Sequence, residues 1–183
     1  EVNGAYNGSE KFGPNNRFAF FPSFSLGWMI SEEKFMKGLK FLDMLKLRGS
    51  WGRIGDDNVG GRWLYQDSWG YQNSNTYLGL IPTATPYSYY RITSLGNENI
   101  SWETVEKRNV GIDYSFFKGL IAGSVDIFSD KRKDILVSGG SRSIPSFFGA
   151  TAPTANLGST KSHGYELELR LNYMFANKMR LWA

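Results

Sequence analysis

Between residues 105 and 174 the chain alternates hydrophobic and polar positions with a period of two, the mark of strands with one apolar and one wet face. Val110, Ile112, Tyr114 and Phe116 share one parity, and Asn109, Gly111, Asp113 and Ser115 the other. Lys118-Gly119 marks a tight reversal. The pattern resumes with Ile121, Val125 and Ile127 against Ser124, Asp126 and Asp130, and stays strand-like to about residue 137. After a polar, Gly/Ser-rich loop at 138–160, a third strand sets Tyr165, Leu167, Leu169, Leu171 and Tyr173 against Glu166, Glu168, Arg170 and Asn172. Soluble strands run about five or six residues, whereas a tilted membrane-spanning strand needs about nine to eleven. Consecutive charged and amide groups on one face suit a water-filled lumen.

Upstream, residues 1–16 read as a strand end entering a turn-rich loop. In the strand expected at 17–30, Phe18, Phe20, Phe24, Leu26, Trp28 and Ile30 oppose Ser23, Ser25 and Gly27, with Pro22 at an edge or irregular position. Ser31 reads as a helix N-cap, followed by Glu32 and Glu33 in the first turn and by Phe35, Leu39 and Leu42 at helical spacing. That helix would serve as a cap packed over the end of a sheet, in preference to a membrane-surface anchor. Leu45, Leu47 and Trp51 alternate with Lys46, Arg48 and Ser50. From 53 to 100 the pattern dissolves, with at most short strands at 63–65 and 89–92, as in a functional loop.

Connection lengths select an architecture. Short connections (31–44, 118–119, 176–178) alternate with long ones (53–100, 138–160), and antiparallel neighbours put alternate connections at opposite ends. The short turns and the long loops thus segregate, as in outer-membrane barrels with short periplasmic turns and long extracellular loops. Trp28, Phe116, Phe117, Tyr173 and Phe175 cluster near the short-turn end, where an aromatic girdle belongs. The fold expected is all-β, with 1–183 a segment of one large antiparallel transmembrane barrel. The alternative is a soluble β-sandwich carbohydrate-binding module.

Composition narrows this further. No stretch of about eighteen apolar residues exists, so a membrane-spanning helix is excluded, but the mean hydropathy of -0.37 is what strand alternation also yields. The absence of cysteine removes disulfides and cysteine-held metals. A net charge of +4 is mild, and Lys131-Arg132-Lys133 sits between Asp130 and Asp134 as a solvated strand end. No nucleic-acid stripe is expected. The 13 Phe, 10 Tyr and 6 Trp suit strands with interfacial anchors. A start without methionine or leader, and an end where another strand begins, suggest an excerpt of a longer protein.

Candidate chemistry is sparse. Glu166 and Glu168 lie about 7 Å apart on one strand face, as an acid/base pair would, but Arg170 and Asn172 continue the row and favour lumen solvation and ion pairing. With Lys46, Arg48, Asp113 and Asp126, they form the expected lumen-facing polar set. His163 is the sole histidine and has no triad or metal constellation around it. Asp56, Asp57 and Asn58 offer clustered oxygens to calcium but lack the spaced loop pattern. No metal, cofactor or enzymatic activity is expected. Trp63, Tyr65, Trp69, Tyr71, Tyr77, Tyr87, Tyr89 and Tyr90 are the candidate substrate contacts, apolar plates with polar tips that stack on sugars or grip peptide side chains. They serve equally well to pack loop on loop or against a lid protein.

The blocks Phe12-Gly13-Pro14-Asn15-Asn16-Arg17, Phe21-Pro22-Ser23, Gly27-Trp28 and Leu45-Lys46-Leu47-Arg48-Gly49-Ser50-Trp51-Gly52 resemble the barrel region of SusC/RagA-type TonB-dependent outer-membrane transporters. Leu95-Gly96-Asn97, Trp102-Glu103-Thr104, Asn109-Val110-Gly111-Ile112-Asp113, Lys133-Asp134-Ile135-Leu136 and Gly164-Tyr165-Glu166 continue the resemblance in the family's order. His163, where the family often has lysine, and Gly55-Asp56-Asp57-Asn58, a variant Gly-Asn turn, depart from it. The resemblance implies a large barrel in outer-membrane lipid, closed around a plug, importing oligosaccharides or peptides with energy from TonB beneath a SusD-like surface lipoprotein. Plug and TonB-contacting region would lie N-terminal to these residues. Seven or eight strands cannot close alone, and their free edges require the rest of a barrel.

Overall fold

The alternating segments become strands in the structure, a computed structural model that describes residues 1–76, 87–175 and 179–183. In chain order these are β1 (Val2–Gly8), β2 (Phe18–Met29), β3 (Leu42–Asp56), β4 (Ser68–Thr76), β5 (Tyr87–Ser94), β6 (Glu103–Phe116), β7 (Ile121–Val137), β8 (Ala155–Met174) and β9 (Arg180–Trp182). Seven form one antiparallel sheet in the order β1-β2-β3-β6-β7-β8-β9, while β4 and β5 pair separately as an insertion between β3 and β6. At 17 and 20 residues, β7 and β8 are long enough to cross a bilayer at a tilt and emerge beyond it.

Register sorts the side chains into two unlike faces. One row runs Trp28, Leu47, Ile112, Val125, Leu167, and the next Leu26, Gly49, Val110, Ile127, Tyr165. On the opposite face Lys46 lies beside Asp113, Arg48 beside Gly111, Asp126 beside Glu166, and Ser124 beside Glu168. A slip by one residue would exchange the faces. The apolar face stands open among the described residues: Val110, Ile127, Tyr165 and Leu167 are 57%, 64%, 82% and 70% exposed. Among the described residues no second sheet packs over these side chains, and β4–β5 stacks on none of the seven strands. The molecule is therefore a single two-faced wall with β1 and β9 at its edges, and the sandwich alternative fails on this point.

Connections alternate in length as the pattern requires. Residues 9–17, 57–67, 95–102 and 138–154 lie at one end of the sheet, and 30–41 and 117–120 at the other. Residues 176–178, read as a short turn between β8 and β9, fall outside the described residues. At the β6–β7 turn Phe117, Lys118 and Gly119 all have positive φ, of 56°, 56° and 79°. Only Gly119 adopts that region without Cβ strain.

Four local expectations are corrected. The segment 53–100, expected to hold at most short strands, begins only after β3 ends at Asp56 and carries β4 and β5, of nine and eight residues. No helix forms at 31–42: Ile30–Glu32 is one 3-10 turn with Met29 as N-cap and no side-chain cap, so Ser31 does not cap it. The chain continues through turns closed by Met36 N–H to Glu33 O and by Leu39 N–H to Met36 O, and Leu42 already belongs to β3. A short helix interrupted by Gly38 needs packing to offset nucleation. Phe35, 69% exposed, finds none, whereas Phe41 stacks on Phe116 with ring centroids 6.3 Å apart. Residues 63–65 are a turn, closed by Gln66 N–H to Trp63 O, with Trp63 at a φ of 55° that a regular ladder does not accept outside a bulge. The loop at 138–160 ends early: β8 begins at Ala155, where Asn156 Nδ2 donates to Ser101 O and Asp134 O.

The long connections have a small core of their own. Phe12, Phe21, Val59, Ile100 and Trp102 are buried together, with Leu64, Tyr65 and Leu136 packed against them. The Trp102 ring lies 5.2 Å from Phe12 and 5.4 Å from Phe21, in tilted and edge-on contact. Trp102 Nε1 donates to Arg17 O, Asn16 Nδ2 to Ile100 O, and Asn97 Nδ2 to Thr154 O. Three connections far apart in sequence thereby form one rim.

Candidate functional site

Two polar surfaces are candidates: the wet face of the wall and the rim above it. On the wet face Arg48 reaches across β6, its Nε donating to Asp113 Oδ1 at 3.1 Å and a terminal nitrogen to Asp126 Oδ2 at 2.5 Å. Gly111 makes this crossing possible, since a Cβ there would sit 2.4 Å from Asp126 Oδ1 and 2.9 Å from Arg48 Cζ. Asp126 is 6% exposed, and its Oδ1 has no partner among the described residues. Arg170 Nε donates to Glu168 Oε1 at 2.6 Å. The expected polar set of Lys46, Arg48, Asp113, Asp126, Glu166, Glu168 and Arg170 thus shares one face of four adjacent strands.

Higher on the same face, Lys107 pairs with Asp130 at 3.1 Å. Arg132 bridges Glu103 at 2.7 Å and Asp56 at 3.1 Å, and Glu103 also accepts from Leu136 N–H just past a register shift in β7. Sequence reasoning put Asp130 on the polar parity of β7 but passed over Glu103 and Lys107, although their parity on β6 was enough to place them. The carboxylates of Asp56 and Asp57 are already engaged, the first by Arg132 and Asn58 N–H, the second by Ser9 and Lys11. Among the described residues no group of three or more His, Asp or Glu stands together to hold a metal.

At the rim an open cleft of about 850 Å³ is lined by Gly13, Pro14, Asn15, Tyr65, Gln66, Asp67, Trp69, Gly96 and Glu98. Asp67 Oδ1 accepts from Gly96 N–H at 2.7 Å, tying the β4 side of the cleft to the segment after β5. Tyr65 and Trp69 bring aromatic surface to a pocket whose remaining lining is largely amide, carboxylate and backbone. Such a site can stack on a flat apolar face and accept hydrogen bonds around it.

The candidate aromatics divide. Tyr65 and Trp69 meet in the cleft. Trp69, Tyr71, Tyr90 and Ile92 share one face of the β4–β5 hairpin, with Tyr71 and Tyr90 in edge contact at 5.3 Å. They are 64%, 56%, 70% and 40% exposed. Tyr89, opposite Gln72, lies on the other face, and Tyr87 pairs with Thr76 at the start of β5. Trp63 is exposed in a turn and does not line the cleft. Tyr77 lies outside the described residues. Pro14, Asp67 and Glu98 complete the cleft, and no local pattern in the sequence announces them.

Comparison with known proteins gives a consistent result. A family profile described as "TonB dependent receptor-like, beta-barrel" matches residues 2–183. The chain is 36% identical over 165 residues to the TonB-dependent receptor SusC of Bacteroides thetaiotaomicron, covering 90% of this chain and 16% of that protein. It is 35% identical over 165 residues to TonB-dependent receptor P39 of Formosa agariphila, covering 88% of this chain and 14% of that one. Among solved structures, the RagAB peptide transporter superposes with a TM-score of 0.75 at 25% identity, over 99% of this chain and 18% of the other. The "open-open" state of the RagAB peptide importer gives a TM-score of 0.82 at 24% identity, with the same coverage. The chain spans about a sixth of the length of the curated relatives it matches.

Proposed function

We propose, for a chain that belongs to the TonB-dependent receptor β-barrel family, that it builds part of the barrel wall and the substrate-side rim of an outer-membrane importer of oligosaccharides or peptides. The observation that carries this is the two-faced sheet with every long connection at one end. Its exposed apolar face meets lipid, and the face bearing Arg48, Asp113, Asp126 and Glu166 lines the water-filled lumen. The end with the short connections faces the periplasm. There Phe41, Phe116 and Phe117 pack together and Tyr173 meets Phe175 at 4.7 Å, as an interfacial girdle would.

The rim cleft of Tyr65, Trp69, Asp67 and Glu98 is the cargo-contacting surface in this reading, and the exposed aromatic face of β4–β5 extends it outward. One relative bears on cargo by its name, since RagAB is a peptide importer. A SusD-like surface lipoprotein covers the rim, and TonB engages the plug region N-terminal to this wall. The chain supplies no chemistry to the cargo and acts by binding and passage alone.

The test is made in the full-length transporter. Trp69→Ala should lower cargo affinity about tenfold, the loss of one stacking plate and its apolar area, with Tyr65→Ala in the same direction. Trp63→Ala, which removes an exposed ring that does not line the cleft and leaves the turn's backbone bond in place, should leave uptake of both oligosaccharides and peptides unchanged. Unaltered affinity and uptake in Trp69→Ala and Tyr65→Ala would remove the cleft from the transport route.

A further inference from the structure

The apolar face of the wall does not stay apolar along its full height. Above the row of Val110, Ile127 and Tyr165 comes Trp51, Arg108, Ser129 and His163, and above that Arg53, Glu106, Lys131 and Lys161. Lys133, opposite Thr104, follows. Five cations and a histidine thus share this outward face with one acid, and all six are exposed.

That acid is already engaged. Glu106 Oε1 accepts from Trp51 Nε1 at 2.9 Å and from Arg108 Nε at 2.9 Å. Arg53, Lys131 and Lys161 form no ion pair among the described residues. Lys131 and Lys161 nonetheless stand directly opposite each other across the β7–β8 ladder. Opposed side chains have Cβ atoms about 5 Å apart, a placement that is unfavourable for like charges without a counter-anion. Arg53 lies two strands from Lys131, about 10 Å, and three from Lys161, about 14 Å, with Glu106 between it and Lys131. Its long side chain brings it within reach of an anion held over the row.

Height identifies the partner. Glu106 is ten residues from Phe116 along β6. At about 3.4 Å per residue and a tilt of about 40°, the basic row stands roughly 26 Å from the aromatic girdle, one apolar band away. On the same face Tyr6 stacks on Phe18 at 5.5 Å one to two rows above the basic row, and Phe24 stacks on Trp51 at 5.5 Å in the row directly below it. Aromatics next to cations at that height mark the headgroup level of the leaflet on the long-loop side.

We infer that Arg53, Lys131 and Lys161 form a binding site for the headgroup phosphate of the anionic glycolipid in the outer leaflet, whose acyl chains lie along Val110, Ile127 and Tyr165. This rests on the reading of the long-loop end as extracellular. The basic row acts as a depth marker, holding the wall at a fixed height through charge-assisted hydrogen bonds to phosphate.

The experiment uses the full-length transporter purified from outer membranes in mild detergent, with bound lipid A quantified by mass spectrometry. The Lys131→Gln/Lys161→Gln variant should retain roughly thirtyfold less phosphorylated lipid A, from two lysines near an anionic surface. Lys107→Gln, at the same height on the lumen face, should retain as much as the parent. A second measurement needs no variant: the parent protein in nanodiscs should bind phosphorylated lipid A and release it to high salt, and should not bind the dephosphorylated form. Equal retention by parent and double variant, or equal binding of both lipid forms, would overturn the site. Each preparation is also run boiled and unboiled. A heat shift without lipid discrimination removes the phosphate site alone, and absence of any heat shift removes the barrel reading with it.

Discussion

Gly111 shows how a position with no side chain can organise a polar face. Arg48 lies over it to reach Asp126, and any Cβ would fall within 2.4 Å of the Asp126 carboxylate. Gly111→Val in the full-length protein should therefore cost about 1–3 kcal/mol, by displacing a charge-assisted bond at a buried acid. The temperature at which the unboiled electrophoretic band converts to the boiled one would fall. Gly49→Ala is the matching control, because nothing lies within 4 Å of its added Cβ, and it should stay within about 0.5 kcal/mol. Leu167 makes the complementary point. Its 70% exposure would make Leu167→Lys harmless on a water-facing sheet, but against lipid it should cost about 2–4 kcal/mol. Parity alone assigned Leu167 and Arg48 to opposite faces. It did not reveal the pairing of Arg48 with Asp126, 78 residues away, because a crossing over a glycine leaves no local signal.

The elements read most faithfully were those whose faces meet unlike surroundings. β6, β7 and β8 followed their alternation because one side of each is apolar and the other wet, and a wrong register would exchange them. The expected helix failed because helical spacing specifies a helix only where a surface exists to bury its stripe, and Phe35 has none. β8 was read short at its start because Asn156, Ser159 and Thr160 carry loop chemistry, yet Asn156 holds the segment extended by donating to Ser101 O and accepting from Ser101 N–H just before β6. Past the bend in β7, strand order depends on Glu103, which accepts both Arg132 and the Leu136 N–H. Glu103→Ala should lower stability by about 1–2 kcal/mol, a discounted figure because Arg132 is half-exposed and keeps Asp56. The same band-conversion assay reads it, and Glu103→Gln, which can still accept from Leu136 N–H, should recover part of the loss.

As a whole the molecule is a wall: one sheet with two open edges, an uncovered apolar face and a rim with its own small core. The blocks that carry the family resemblance acquire a physical purpose in that rim, where Phe12, Asn16, Asn97 and Trp102 meet across three connections. The rim cleft was only half legible. Its aromatics stood out by type, but which of them converge depends on the turn at Trp63 and the hairpin face of β4–β5, and neither has a period to read.

The lipid-facing assignment of the apolar face underlies every proposal made for this wall, and site-directed spin labelling addresses it most directly. The segment contains no cysteine, so single cysteines can be introduced at 122, 124, 125 and 127 on β7 of the full-length transporter, freed of any other cysteine and reconstituted in bilayers. Labels at Val125 and Ile127 should be relaxed by oxygen, which partitions into lipid, and labels at Ala122 and Ser124 by a water-soluble nickel chelate, giving an alternation with period two. Equal accessibility to the nickel chelate at both parities would contradict the account.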